Sequence, residues 1–255
     1  MKALAINGGA GRMGQILAEG LSATGKFSIS VLVDAREPTE LFGATYAPSF
    51  DVVDASSVDV VVDFSSPEGV VASAAWCATN GKGLVVGTTG LSDDQRREVE
   101  EAATSVGVVI AANYSVGAVL AERFAALAAP YFDRVEIIEL HHDKKLDAPS
   151  GTSIAAAKGI AAARASAGLP EMVDPTLRHS LSGSRGADTI GGIKIHSVRL
   201  PGLTSHQEIL FGAPGEGLTI RHDSFDRVSF VQGVALAANA IDSAPRLIDG
   251  IETLI

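Results

Sequence analysis

The sequence predicts an α/β protein in two parts: a doubly wound parallel sheet, and a second α+β domain built on an open mixed sheet. Three observations carry that expectation. Through the first half, short and almost wholly apolar runs alternate with helical stretches, as parallel strands buried on both faces require. The rhythm then changes to closely spaced strands separated by Pro-Gly pairs, the pattern of antiparallel pairing. Finally, 255 residues with 46% hydrophobic and 20% charged side chains suffice for two modest domains with ordinary cores.

Taken in order, Lys2–Asn7 is a short apolar strand that runs into glycines. Arg12–Ala23 has helical character, and Ser28–Asp34 (SISVLVD) is β-branched and strand-like. Val58–Phe64 (VDVVVDF) is the strongest strand signal in the chain. Glu68–Thr79 reads as a helix with Pro67 near its first turn, followed by a short strand at Leu84–Val86. Ser92 caps a polar helix with Gln95 in capping-box position, and Val106–Ala112 is the next strand. In the second half, alanine-rich helices at Val116–Leu127 and Ser153–Ala167 flank the strand Arg134–Leu140. The Gly/Ser/Pro-rich stretch Gly168–Gly192 reads as a mobile loop. Strands at Lys194–Leu200, Ser205–Gly212 and Gly217–His222 follow, and Pro201-Gly202 and Pro214-Gly215 predict antiparallel hairpins between them. A last apolar helix, about Val228–Asp242, is expected to rejoin the first domain. The predicted division is 1–114 with 225–255 as one domain and 115–224 as the other. Crossings near Ser115 and Ser224 form a hinge over which the domains are expected to close.

Composition removes several classes of function. A net charge of -10 and no basic cluster leave nothing to hold a nucleic-acid backbone, and 5% aromatics leave little for base stacking. A single cysteine, Cys77, forbids an internal disulfide and fits a reducing compartment. No apolar run approaches a membrane span, and the N-terminal apolar stretch is broken by glycines, so the expectation is a soluble, cytoplasmic protein. Any anionic ligand then needs a locally positive site against an unfavourable overall field.

Gly8-Gly9-Ala10-Gly11-Arg12-Met13-Gly14 lies between the first strand and the first helix. Gly8 permits a tight turn, Gly11 admits a pyrophosphate to the backbone, and Gly14 lets helix and strand pack closely. The free amides of the helix start complement phosphate charge. This is a variant of the Rossmann-type dinucleotide fingerprint, with Ala10 at the usual second glycine. Asp34 ends the second strand at a distance suited to gripping a ribose 2′-hydroxyl. Asp34 alone favours NADH, whereas Arg12 and Arg36 leave NADPH open, since either arginine could meet a 2′-phosphate.

The stretch Glu136 to Thr152 (EIIELHHDKKLDAPSGT) carries the chemistry. If the strand persisted through it, His141 and Lys145 would share one wall and His142 would face away. Pro149-Ser150-Gly151-Thr152 puts hydroxyls and free amides at a helix start, a site suited to a carboxylate. Adjacent histidines face apart on a strand and chelate poorly, and no other His/Cys cluster has ligand spacing, so no metal is expected. By the residues alone, both histidines could equally be structural strand-end groups.

That stretch resembles the signature of the 4-hydroxy-tetrahydrodipicolinate reductase (dihydrodipicolinate reductase) family. Gly11-Arg12-Met13-Gly14, Gly87-Thr88-Thr89-Gly90, Ala112-Asn113-Tyr114-Ser115-Val116-Gly117 and Thr219–Phe230 are similar to that family in the same order. Tyr114 stands where phenylalanine is common, and Asp143-Lys144 fill variable positions. The resemblance implies hydride delivery from NADH or NADPH to a cyclic dicarboxylate with loss of water, by a homotetramer of the lysine/diaminopimelate pathway. It also implies His141 as general acid, Lys145 as its charge-stabilising partner, and His142, Gly151 and Thr152 as substrate contacts, to which the helix-start reading adds Ser150. Gly87, Thr88, Thr89, Ala112, Asn113 and Tyr114 would surround the nicotinamide and its ribose. A semialdehyde dehydrogenase would need a thiol nucleophile, yet Cys77 lies inside a predicted helix. A non-catalytic nicotinamide sensor would not need both His141 and Lys145.

Overall fold

The apolar runs of the first half become strands buried on both faces, and the helices between them cover a parallel sheet. β1 (Lys2–Asn7), β2 (Phe27–Val33), β3 (Thr45–Ala47), β4 (Val60–Asp63), β5 (Gly83–Val86), β6 (Gly107–Ile110) and β12 (Arg246–Asp249) form one sheet in the order β12-β6-β5-β4-β1-β2-β3. Every pairing in it is parallel. All residues of β4, β5 and β6 are buried, which explains their lack of polar alternation. The order reverses at β1, whose neighbours are β2 and β4, and open sheets of this kind bind ligands beyond the strand ends at such a reversal. The computed structural model describes residues 1–241, 244 and 246–255.

Helix α1 (Arg12–Ala23) buries Gly14, Leu17, Ala18 and Leu21, one helical stripe. Helix α2 (Pro67–Asn80) starts on Ser66, whose side chain accepts from Gly69 N–H, with Pro67 at its first position. Helix α3 (Asp93–Ala102) carries the expected capping box between Ser92 and Gln95. Cys77 sits in the core between α2 and the sheet, fully buried, and burial pushes its thiol pKa far up. It is not an activated nucleophile. Helix α6 (Ser229–Ala240) packs on α1, β4 and β5. Lys2 Nζ donates to the carbonyls of Ala238 (2.9 Å) and Asn239 (3.2 Å), capping that helix. Asp242, the expected end of the helix, lies outside the described residues. Edge strands β3 and β12 were not anticipated: three or four residues give too short a pattern to read.

The chain forms two compact units, Met1–Val116 with Arg227–Ile255, and Gly117–Asp226. The second unit holds helix α4 (Val116–Ala128, from its second residue), β7 (Arg134–His141), helix α5 (Gly151–Ser166), β8 (Ala187–Asp188), β9 (Lys194–Arg199), β10 (Ser205–Ala213) and β11 (Glu216–Ser224). The sheet order is β11-β10-β7-β9-β8. β10 and β11 form the expected hairpin. The hairpin expected between β9 and β10 does not form. β7 lies between them, parallel to β9 and antiparallel to β10. Pro201-Gly202 suggests a tight turn, but the connection is the five residues Leu200–Thr204. Five residues reach well past the ~10 Å that separates next-nearest strands. In the central place both edges of β7 are hydrogen-bonded.

The stretch expected to be a mobile loop, Gly168–Gly192, is fastened at several points. Met172 is buried and its N–H donates to Gly191 O (2.9 Å). Arg185 pairs with Glu136 of β7 and with Asp174 (3.5 Å), and Lys194 of β9 reaches Asp174 at 3.2 Å. These charges drew no attention in sequence because their partners lie far along the chain.

Candidate active site

At the end of β1 the chain turns through Gly8, whose φ is +84°. A Cβ at Gly8 would lie 2.4 Å from Phe64 O, and one at Gly14 would lie 2.1 Å from Gly8 O, so neither position admits a side chain. Gly11 is the N-cap of α1, which leaves the amides of Arg12, Met13 and Gly14 without intrahelical acceptors. Arg12 is exposed. Asp34, just past β2, is held against this turn: its Oδ2 accepts from Ala10 N–H (3.0 Å) and its Oδ1 from Arg36 N–H (3.1 Å). A cavity of about 480 Å³ opens beside Asp34, lined also by Val33, Pro48, Phe50, Ala72 and Trp76. The sequence reading missed it, because its walls come from four separated segments.

A second missed feature is Asp63 at the end of β4. This fully buried carboxyl accepts from Asn7 Nδ2 (2.8 Å), Ser73 Oγ (2.5 Å), Ser65 Oγ (2.8 Å) and Thr88 Oγ1 (2.7 Å). It ties the ends of β1 and β4 to the Gly87–Thr89 loop. The Thr88 hydroxyl is therefore occupied in shaping that loop. Gly87 faces the Phe64 ring so closely that a Cβ would lie 2.1 Å from it. The Tyr114 ring is fully buried, and its hydroxyl donates to Val86 O (2.7 Å). Tyr114 is therefore part of the packing beneath this loop, with its hydroxyl already engaged. Ala112 and Thr89 are exposed, and Asn113 is half-buried, with its Oδ1 accepting from Ser115 N–H (2.9 Å).

In the second unit the inner face of the sheet changes character along its length. Val135, Ile137, Ile195, Ile209 and Phe211 fill an apolar core under α5. Towards the far end of β7 the same face continues as Glu139 and His141. His141 Nδ1 lies 2.5 Å from Glu139 Oε2, and its Nε2 lies 3.1 Å from Ser205 Oγ on β10. A carboxylate only accepts, so Nδ1 carries the proton. Burial lowers the His141 pKa below the usual 6.5; Glu139 opposes this, while Lys145 and Arg199 add to it. Burial pushes the Glu139 carboxyl up, but hydrogen bonds from Arg199, Ser197 and His141 outweigh that and hold it at about 2.

β7 ends at His141, so the alternation expected to carry Lys145 onto the His141 wall does not continue. Instead the chain turns, Lys145 N–H donating to His142 O (3.2 Å). Lys145 Nζ is clasped by both oxygens of Asp147 at 2.8 Å. His142 Nδ1 is buried without a hydrogen-bond partner among the described residues. Ser150 caps α5, its hydroxyl accepting from Ser153 N–H (3.4 Å) while its own N–H donates to Glu139 Oε1 (3.2 Å). Its polar groups are thus engaged, and the unshared first-turn amides of α5 belong to Gly151 and Thr152. Glu139 was legible, two residues from His141 on the same face. Arg199 and Ser205 were not, since β9 and β10 reach this site only through sheet topology. No group of His, Cys, Asp and Glu among the described residues forms a metal site.

Two family models match the chain: the N-terminus of dihydrodipicolinate reductase over residues 2–114, and its C-terminus over residues 117–254. The 4-hydroxy-tetrahydrodipicolinate reductase of Cutibacterium acnes is 43% identical over 255 residues, covering 99% of this chain and 98% of the relative. That of Mycolicibacterium vanbaalenii is 44% identical over 253 residues, covering 98% and 97%. Among solved structures, a dipicolinate-bound dihydrodipicolinate reductase from Paenisporosarcina sp. TG-14 is similar with a TM-score of 0.88 and 36% identity, covering all of both chains. With both halves of its sequence and its whole fold in agreement, this chain belongs to the dihydrodipicolinate reductase family.

Proposed function

We propose the following division of labour for the reduction of 4-hydroxy-tetrahydrodipicolinate to tetrahydrodipicolinate, with loss of water, which is this chain's reaction in lysine/diaminopimelate biosynthesis. NADH or NADPH supplies the hydride. The glycine turn and the α1 amides hold its pyrophosphate, and Asp34 binds the ribose 2′-hydroxyl of NADH. Arg12 and Arg36 receive the 2′-phosphate of NADPH, and the cavity beside Asp34 takes the adenine. The loops at Gly87–Thr89 and Ala112–Tyr114 frame the nicotinamide end.

Loss of the ring hydroxyl as water gives a carbon–carbon double bond conjugated with the imine. Hydride adds to its far carbon. The negative charge left is shared between the ring nitrogen and the carbon next to the imine carbon, where a proton is then taken up. That charge needs a cation and a proton donor. His141 is the donor, through Nε2, once protonated. Lys145, released from Asp147, is the cation. The first-turn amides at Gly151 and Thr152, with His142 Nδ1, hold a substrate carboxylate. The observation that carries this reading is the placement of His141: its Nδ1 is fixed by Glu139, and among the described residues its Nε2 meets the replaceable hydroxyl of Ser205. The half-buried outer-face residues Ile138, Leu140, Val198 and Leu210 of the second sheet support a homotetramer built through it. The biosynthetic role supports a cytoplasmic location.

The test is steady-state kinetics with the cyclic dicarboxylate, following loss of the reduced nicotinamide absorbance. His141→Gln and Lys145→Ala are each expected to lower kcat by roughly 10²–10⁴-fold with cofactor affinity nearly intact. Wild-type kcat in both variants would remove these roles.

A further inference from the structure

Glu139 has a place in this site that neither the family match nor the sequence motif assigns. Its carboxylate is fully buried and accepts from His141 Nδ1 (2.5 Å), Arg199 Nη1 (2.7 Å), Arg199 Nη2 (2.8 Å) and Ser150 N–H (3.2 Å), with the Ser197 side chain as a further donor. Arg199 reaches on to Asp147 O at 2.7 Å, the backbone of the turn that carries Lys145. One carboxylate is thereby the common reference point of the proton donor, the cation-bearing turn and the start of α5. We infer that Glu139, backed by Arg199, is the positioning residue of this active site, fixing His141 in the Nδ1–H tautomer so that Nε2 is the atom that gives the proton. The inference rests on His141 being the donor.

The chemistry supports the arrangement in two ways. An imidazole free to choose its tautomer would spend part of its time with Nδ1 bare and Nε2–H turned to the reaction, a weaker acid than the imidazolium. A bound carboxylate removes that choice and holds the ring through both protonation states. Arg199 then prevents the opposite fault. A lone buried carboxylate would keep His141 permanently charged, whereas the bidentate guanidinium takes up most of the Glu139 charge. The groups facing His141 are Glu139 on its own strand, Arg199 on β9, Ser205 on β10, and Lys145 with its partner Asp147 in the following turn. The ring therefore stays neutral until a dianionic substrate arrives and tips it to the cation.

The experiment combines ring ¹⁵N NMR with kinetics on the full-length enzyme. In the wild type above neutral pH, His141 should show Nδ1 protonated and Nε2 bare, which is the minority form of free histidine. Glu139→Gln removes the charge, so the ring should titrate at lower pH, and kcat should fall roughly 10–10²-fold with a smaller change in KM. Glu139→Asp should recover part of kcat and part of the titration shift, which a purely structural role would not do. An Nε2–H tautomer in the wild type overturns the inference, even if Glu139→Gln fails to fold. So does a Glu139→Gln enzyme whose ring titration and kcat are unchanged. A large loss in His141→Gln with either of those results leaves the donor standing and removes only Glu139. Full activity in His141→Gln removes both.

Discussion

Asp34, proposed to read the cofactor ribose, and His141, proposed as the proton donor, each have a measurable signature. Asp34 already accepts Ala10 N–H, so it faces the turn where a pyrophosphate would lie. Asp34→Ala is expected to weaken NADH more than NADPH, because only NADH presents a free 2′-hydroxyl. Cofactor titrations that show equal losses would mean that Asp34 serves the turn and not the ribose. His141 gives a pH signature. Its pKa in the free enzyme lies below 6.5, so the protonated fraction declines as pH rises through that value, and kcat/KM should decline with it. A bound dianion favours the imidazolium, which raises the pKa in the complex. The falling limb of kcat should therefore lie at higher pH than that of kcat/KM. Coincident limbs, or a kcat/KM that rises over that range, would count against His141 as the acid.

At the scale of elements, the pieces that could be read from sequence were those fixed by local rules. The glycine turn, Pro67 at the start of α2 and the Ser92–Gln95 box each depend on neighbours within a few residues, and each forms as expected. The buried strands were legible from apolar runs alone. What was not legible was partner choice. Nothing in Lys194–Arg199 says that β7 will lie between it and β10, and Arg199 becomes part of the site only through that insertion. Lys145 shows the same limit. Alternation was a sound rule until the strand stopped at His141 and a turn took over. The long segment after α5 offers a test of tertiary fastening. Arg185→Ala removes the link from Glu136 to Asp174 and leaves surface charge behind. Residues 173–189 should then exchange amide hydrogen faster and be cut sooner by protease, with the β10–β11 hairpin unaffected. Unchanged exchange would show that Met172 and the Lys194–Asp174 pair suffice to hold the segment.

At the scale of the molecule, the acidic chain is proposed to meet its anionic ligands through local devices: helix-start amides, two histidines and Lys145. Bulk charge gives no help, so raising ionic strength should weaken substrate binding only modestly and should not abolish it. A steep loss of kcat/KM with salt would point to long-range steering instead. The outer face of the second sheet carries Ile138, Leu140, Val198 and Leu210 on alternate positions. Sedimentation at micromolar concentration is expected to give four times the chain mass, and a monomer would remove the tetramer proposal.

Lys2 holds the carbonyl end of α6, and α6 packs against α1, β4 and β5. The first unit is therefore assembled from both ends of the chain. During synthesis, β1 to β6 emerge long before α6 and β12, and the segment Gly117–Asp226 appears between them. The sheet of the first unit lacks its cover over β4 and β5, and its edge strand β12, until residues 229–249 have been made. The middle unit, continuous in sequence, has no such delay. A stalled nascent chain ending near residue 226 should accordingly show the middle unit resisting protease before the first unit does. The half that reads most plainly in sequence would be the last to finish folding.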